Sequence, residues 1–318
     1  MHALLTSPSL HFVNRNIRKY KGTTVKNFLL LYHIPPHAYR MIQNTINANT
    51  ELYCIFGSPV RHSLSPAMHN AAFSHLGMNA VYLAFEPETI EEGVRAFRAL
   101  DMKGASVTIP FKVDVMKFCD TLSPLARHIG AVNTLLNRNG VIEGHNTDGF
   151  GAVLALRKTG TEVSGSHALV IGNGGSARAI AFTLLSEGCG VTITGRNPDR
   201  FMPLVEDLGK TGKPVQGRLI SELNPDITKQ FGIIINTTPV GMEPDTSQSP
   251  LPESLLHRGR AVFDIVYAPE ETALLRAARE KGCRTIHGKE MLLYQGVRQF
   301  ELWTGKEGPV EIMRAALK

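Results

Sequence analysis

His167-Ala-Leu-Val-Ile171 runs directly into Gly172-Asn-Gly174-Gly-Ser-Ala177-Arg178, and an apolar-periodic stretch over 177–187 follows. A buried strand that feeds a glycine-rich turn and then a helix has the form G-x-G-x-x-G/A, with Ala177 in the third place. Each position has a physical reason. Gly172 permits the tight turn, Gly174 lets a pyrophosphate approach the backbone, and Ala177 keeps helix and strand close. Asn173, Gly175 and Ser176 complete the loop, and the helix N-terminus offers free amides and a positive dipole end to a diphosphate. A glycine cluster alone often marks only a turn. The strand before this one and the helix after it point to a dinucleotide.

The next strand separates NAD from NADP. An NAD site usually places Asp or Glu at the end of that strand to hold the ribose hydroxyls. Here the segment reads Thr194-Gly-Arg196-Asn197-Pro-Asp199-Arg200, without a carboxylate at the strand end. Guanidinium forks suit phosphate oxygens, so Arg196 and Arg200 point to a 2′-phosphate and hence to NADP. A solvated charged loop is the alternative, and Asp199 reads as the cap of the following helix.

Outward from this turn, strand-like and helix-like segments alternate in both directions. After it come a strand at 191–194, a helix at 200–208, strands at 232–236 and 261–266, and a helix at 270–281. Two further helices at 290–303 and 309–317 close the chain. Before it stand strands at 52–56, 80–85 and 105–109, with helices opening at Ser65-Pro66 and spanning 88–100. Asn139-Gly140 between 132–136 and 141–145 is a two-residue hairpin signal. A helix at 150–158 joins the two series. This pattern predicts an α/β protein of two domains, one a Rossmann-type doubly wound parallel sheet, meeting near residue 148.

Composition narrows the class. Of 318 residues, 43% are hydrophobic and 19% charged, enough apolar material for two cores. The greasiest stretch, Phe28 to Tyr32, is far short of a membrane span. Cys54, Cys119, Cys189 and Cys283 are too widely spaced for a zinc knuckle or a CxxC motif, so no metal site is expected. They read as reduced thiols of a cytoplasmic protein. Six of the 34 basic residues, and no acidic ones, fall in residues 1–50; the remaining 28 match the 28 Asp and Glu. The net charge of +6 therefore resides in that segment. A neutral body argues against nucleic acid as a partner. Residues 1–50 lack a packing pattern, and three readings stay open: a basic arm, a transit segment, or sequence upstream of a start at Met41.

The first series carries residues of unusual chemistry. Ser63 and Ser65 bracket a leucine before a helix N-terminus, where hydroxyls and free amides suit a carboxylate; Ser65 also reads simply as an N-cap. Lys112, after Ile109-Pro-Phe, is expected in the first turn of a helix, where the dipole disfavours a cation and an amine is useful as a base. A lone lysine is more often surface decoration. Asp148 reads first as a helix cap.

Together these residues carry a resemblance. Gly57-Ser-Pro-Val-x-His62-Ser63-Leu-Ser65-Pro66, Lys103-Gly-Ala-Ser-Val-Thr108-Ile-Pro-Phe-Lys112, Gly130-Ala-Val-Asn133-Thr134 and Asn146-Thr-Asp148-Gly149 are similar, in order and spacing, to the signature blocks of shikimate dehydrogenases. Asn236-Thr-Thr-Pro-x-Gly241-Met242, Asp264-x-x-Tyr267 and Gly288-x-x-Met291-Leu-x-x-Gln295 extend the match over about residues 52–318. The resemblance implies a substrate domain of residues 51–148 plus 288–318 and an NADP domain of residues 149–287. It implies NADPH-dependent reduction of 3-dehydroshikimate to shikimate, on the route to chorismate and the aromatic amino acids. By the family pattern, Ser63 and Ser65 hold the substrate carboxylate with Tyr267 near it. Thr108, Asn133, Asp148 and Gln295 hold its hydroxyls, and Lys112 with Asp148 forms the acid/base pair. Asn197, Ile265 and Gly288 join the cofactor site. The family's usual Asn before the arginine is Gly195 here, and Ile265 replaces the usual methionine facing the nicotinamide. A homodimer is the expected assembly. An NAD-using quinate/shikimate dehydrogenase and a non-catalytic ligand sensor on the same scaffold are the alternatives. Serine at both 63 and 65, with Arg196 in place of a strand-end acid, speaks against the first, and the joint presence of Lys112 and Asp148 against the second.

Overall fold

The structure, a computed structural model, describes residues 46–318; the basic segment, up to residue 45, lies outside them. Two six-stranded sheets organise the described residues. The first contains β1 (Glu51–Phe56), β2 (Ala80–Phe85), β3 (Gly104–Val107), β4 (Thr121–Leu122), β5 (Thr134–Arg138) and β6 (Val141–His145), in the order β2-β1-β3-β5-β6-β4. Strands β1, β2 and β3 are parallel, but β5 runs antiparallel to both β3 and β6, so this sheet is mixed rather than parallel throughout. The hairpin is the reason. Asn139 and Gly140 both take positive φ, 54° and 89°, as a tight two-residue reversal requires, whereas a parallel partner needs a long crossover.

The helices of this half are α1 (Ser65–His75), α2 (Ile90–Ala99) and the short α3 (Pro124–Ile129); α4 (Asp148–Lys158) then joins the two sheets. Helix α2 starts two residues inside its expected range because Thr89 and Glu92 form a reciprocal capping box there.

The second sheet is wholly parallel: β7 (His167–Ile171), β8 (Gly190–Gly195), β9 (Val215–Leu219), β10 (Ile233–Asn236), β11 (Ala261–Asp264) and β12 (Arg284–Ile286). Its order, β12-β11-β10-β7-β8-β9, is that of a doubly wound dinucleotide fold. The sequence reading omits β9 and β12. Both are edge strands, short and polar, as edges that avoid further pairing tend to be. Helices α5 (Gly175–Ser186), α6 (Pro198–Gly209), α7 (Pro225–Thr228) and α8 (Ala273–Glu280) accompany this sheet. The strand order reverses between β7 and β10, which places a crevice beside the glycine turn.

Helices α9 (Gly288–Thr304) and α10 (Val310–Ala315) return to the first sheet. Trp303 Nε1 donates to the Leu135 carbonyl at 2.9 Å, and a side chain on Gly104 would collide with the Trp303 ring. Gly151 lets α4 and α9 approach closely; a Cβ there would lie 2.8 Å from Gln295. Among the described residues no helix is long and apolar enough to cross a membrane.

Candidate active site

Four of the residues singled out for chemistry, Lys112, Asn133, Asp148 and Gln295, gather around the start of α4. Thr108 follows β3 and donates its N–H to the Phe56 carbonyl at 2.9 Å. Gly57 makes this approach possible, because a Cβ there would lie 2.3 Å from the Thr108 methyl. The chain then turns through Pro110 to Lys112. No α-helix begins there: a turn leads into a five-residue 3₁₀ segment, Asp114–Phe118, and the Lys112 carbonyl is taken by Val132 N–H at 2.7 Å. The expected helix dipole is therefore not what singles out Lys112.

Its partners do. Lys112 Nζ donates to Asp148 Oδ2 at 2.5 Å, with the two side chains only 12% and 5% exposed. Asp148 is the first residue of α4 and does not cap it; its carboxylate faces the lysine. The other carboxylate oxygen, Oδ1, accepts from Asn133 Nδ2 at 2.7 Å, and the Asp148 N–H donates to Asn146 Oδ1 at 3.0 Å. Asn133 Nδ2 also lies 3.4 Å from Gln295 Oε1 on α9. Thus Lys112, Asn133, Asp148 and Gln295, spread over 184 positions of sequence, share one hydrogen-bonded cluster.

The glycine turn reaches the same cluster. Ser176 Oγ accepts from Lys112 Nζ at 3.2 Å, and a Cβ on Gly175 would rest 3.4 Å from the Lys112 side chain. A proton donor beside a dinucleotide turn is the geometry that hydride chemistry at a carbonyl requires. The turn itself fits a diphosphate. Gly172 has φ +119°, with Thr237 Oγ1 2.5 Å from where a Cβ would stand, so only glycine is tolerated. Gly174 is the N-cap of α5 and faces open space where a backbone could be approached, while Ala177 is fully buried. Asn173 Nδ2 donates to the Arg200 carbonyl at 2.8 Å, tying the turn to the start of α6.

At the end of β8, Arg196 and Arg200 are exposed, and neither joins an ion pair among the described residues. Asn197, not Asp199, caps α6, accepting the Asp199 N–H at 2.9 Å. Gly288 sits against the backbone of Ile265 and Val266, where a Cβ would approach both carbonyl oxygens to 2.5 Å. Behind that loop, Asp264 accepts from Asn236 Nδ2, Val266 N–H and Thr272 Oγ1. Burial pushes its carboxyl up to about 6 in spite of those donors.

The substrate-side serines flank the start of α1. Ser63 Oγ accepts the Ser65 N–H at 3.2 Å, and Leu64 rather than Ser65 occupies the cap position. Ser65 is a buried first-turn residue, so the simple N-cap reading fails. Tyr267, in the loop after β11, is partly buried, and that burial pushes its phenol up. Gln299 escapes the sequence reading altogether, though it lies one helical turn beyond Gln295 and is 1% exposed. The signal available was a second glutamine at i+4 in an apolar helix.

A parallel dinucleotide sheet, a glycine turn and a buried lysine–carboxylate pair beside it define an α/β dehydrogenase. The family model for the shikimate dehydrogenase substrate binding domain matches residues 55–135. That for shikimate / quinate 5-dehydrogenase matches 153–264, and that for the shikimate 5′-dehydrogenase C-terminal domain matches 288–318. The shikimate dehydrogenase (NADP(+)) of Moorella thermoacetica is 42% identical over 283 residues, 87% of this chain and 95% of the relative. The solved Thermus thermophilus shikimate 5-dehydrogenase, in complex with NADP(H) and shikimate, aligns with a TM-score of 0.77. It is 36% identical, covering 84% of this chain and 98% of that one. The Listeria monocytogenes enzyme, in complex with shikimate and NAD, aligns with a TM-score of 0.80 at 38% identity, covering 86% and 98%. The chain belongs to the shikimate dehydrogenase family.

Proposed function

We infer that this protein is an NADP-dependent shikimate dehydrogenase, reducing 3-dehydroshikimate to shikimate in aromatic amino acid biosynthesis. The observation that carries the reading is the Lys112–Asp148 pair held against the glycine turn through Ser176. The cofactor, when bound, supplies the hydride. The residues of this chain then do the rest. As the carbonyl oxygen gains negative charge, the Lys112 ammonium steadies it and delivers a proton, while the Asp148 carboxylate orients the amine, which afterwards regains a proton from solvent. Asn133 fixes the carboxylate, so neither partner must reorganise during the step.

Ser63 and Ser65, with Tyr267, take the substrate carboxylate; Thr108, Asn133, Asp148 and Gln295 take its hydroxyls. A small polyhydroxylated acid demands many fixed polar partners, and a competitor lacking one of its hydroxyls leaves some of them unpaired. Gly172, Asn173, Gly174, Gly175, Ser176 and Ala177 cradle the diphosphate, Arg196, Asn197 and Arg200 the adenosine phosphate, and Ile265 and Gly288 the nicotinamide side. Residues 51–148 with 288–318 act as the substrate domain and 149–287 as the NADP domain. The location is cytoplasmic, a reading supported by four cysteines that are all free, and the assembly is a homodimer, which light scattering tests. The decisive assay mixes purified protein with shikimate or quinate and with NADP or NAD, followed at 340 nm. Turnover of shikimate with NADP is the expected result; preference for quinate and NAD would select the alternative enzyme of the family.

A further inference from the structure

Behind Asn133 a line of buried side chains runs from the acid/base pair into the core. Thr134 Oγ1 donates to Asn133 Oδ1 at 2.7 Å. Gln299 Nε2 donates to Thr134 Oγ1 at 2.9 Å and to the Asn133 backbone carbonyl at 3.0 Å. Gln299 Oε1 in turn accepts from Ser106 Oγ at 2.8 Å, and Ser106 Oγ accepts from the Tyr82 hydroxyl at 2.6 Å. None of these residues is more than 5% exposed.

The chemistry of the groups gives the line a direction. A backbone carbonyl only accepts, so Gln299 must turn its NH₂ toward Asn133 and its oxygen toward Ser106. The Thr134 oxygen then receives a Gln299 hydrogen, and its own hydrogen is left for Asn133 Oδ1. Asn133 Oδ1 also accepts the Thr147 N–H at 2.9 Å. With its oxygen so engaged, Asn133 can present only its NH₂ to Asp148 Oδ1. A reversed amide would oppose two oxygens across a 2.7 Å gap and strand buried donors, which is costly in a dry site.

We propose that Gln299 and Thr134 are positioning residues for the reaction: through Asn133 they hold the Asp148 carboxylate in register with Lys112. This rests on the acid/base reading of Lys112 and Asp148. Neither residue touches that pair directly, so a purely structural role predicts loss of stability without loss of turnover.

The test compares Gln299→Met and Thr134→Val, which keep shape but remove polarity, with Thr134→Ser, which keeps the hydroxyl. Each is measured for kcat with shikimate and NADP, for KM of NADP and for Tm, at a temperature where it is fully folded. Losing one such buried hydrogen bond should cut kcat about 5- to 30-fold, with the NADP KM unchanged. Thr134→Ser should stay close to the parent, and the double variant should be little worse than the poorer single, because both act through one amide. Crystal structures of the same variants provide an arm that does not depend on turnover: Asn133 should leave hydrogen-bond distance of Asp148. If Gln299→Met does not fold, Thr134→Val alone decides. A lowered Tm with kcat and the Asn133–Asp148 contact both intact would overturn the proposal. If the parent protein turned over no shikimate, the function reading would fall, and the position of Asn133 in the variants would still decide whether the line sets it.

Discussion

Removing one member of the Lys112–Asp148 pair should damage stability and activity together, whereas removing both should damage activity alone. At 12% and 5% exposure the two charges are largely withdrawn from water, and each is compensated chiefly by the other. Lys112→Met strands the Asp148 carboxylate with Asn133 as its remaining side-chain amide donor. Breaking a buried pair from one side typically costs about 3–5 kcal/mol. The cleft admits some solvent to Lys112, so the low end, about 3 kcal/mol, is expected. Asp148→Asn is worse placed than its size suggests. An amide oxygen can serve Lys112 or Asn133, but its nitrogen must then face the donor left over. The double variant Lys112→Met/Asp148→Asn leaves no charge to strand and should recover most of the lost stability, since such replacements are often near neutral. Turnover should not recover: kcat should fall on the order of 10²–10⁴ in all three, the usual worth of a positioned acid/base. The assay pairs urea unfolding with the rate at 340 nm. Two results would refute the reasoning: a double variant whose stability loss equals the sum of the singles, or a Lys112→Met enzyme with near-normal kcat and only a raised KM. In the latter case Lys112 binds substrate and the proton comes from elsewhere.

Three further outcomes follow from other parts of the molecule. Replacing Arg196 and Arg200 by Ala should weaken NADP by about 3 kcal/mol in total, the low end for two charged hydrogen bonds because both are exposed, and leave NAD nearly unaffected; cofactor titrations that fall equally for both would remove the 2′-phosphate assignment. His69 is fully buried, stacked on Tyr82 at 4.6 Å, with no hydrogen bond to either ring nitrogen, and burial pushes its pKa down to about 3 against the opposing effect of Gln299. The unfolded chain therefore takes up the proton first, so this stability is present above about pH 6.5 and declines as pH falls, by about 2 kcal/mol at pH 5; His69→Phe should flatten that slope in urea melts at pH 8 and pH 5, and an unchanged slope would contradict it. Gly288→Ala should cost about 1–3 kcal/mol and raise the KM for NADP, because the new methyl must push the Ile265–Val266 backbone aside; a crystal structure with that loop unmoved and KM intact would show the glycine to be dispensable.

Much of this molecule is legible in its sequence because the relevant physics is local. The β7 strand, its glycine turn and α5 are written in contiguous residues, each obeying a short-range rule of periodicity or backbone freedom. The hairpin at Asn139-Gly140 is equally local, since positive φ at two successive positions selects those residue types. Even the absence of a strand-end acid before Arg196 can be read without coordinates. The edge strands β9 and β12 could not be read so, because a pleated edge with polar faces has no periodic signal of its own and exists only by pairing with β8 and β11. Nor could the setting of Lys112. Sequence rules placed it in a helix dipole, but the hydrogen bond from Val132 N–H to its carbonyl holds it in a turn. Its partner Asp148 is distant in sequence, and Ser176 arrives from α5, the helix after the glycine turn. Only the tertiary structure decides which buried donors face which acceptors. Such contacts depend on where separate elements converge, and so the direction of the line from Tyr82 through Gln299 to Asn133 becomes apparent only in the fold.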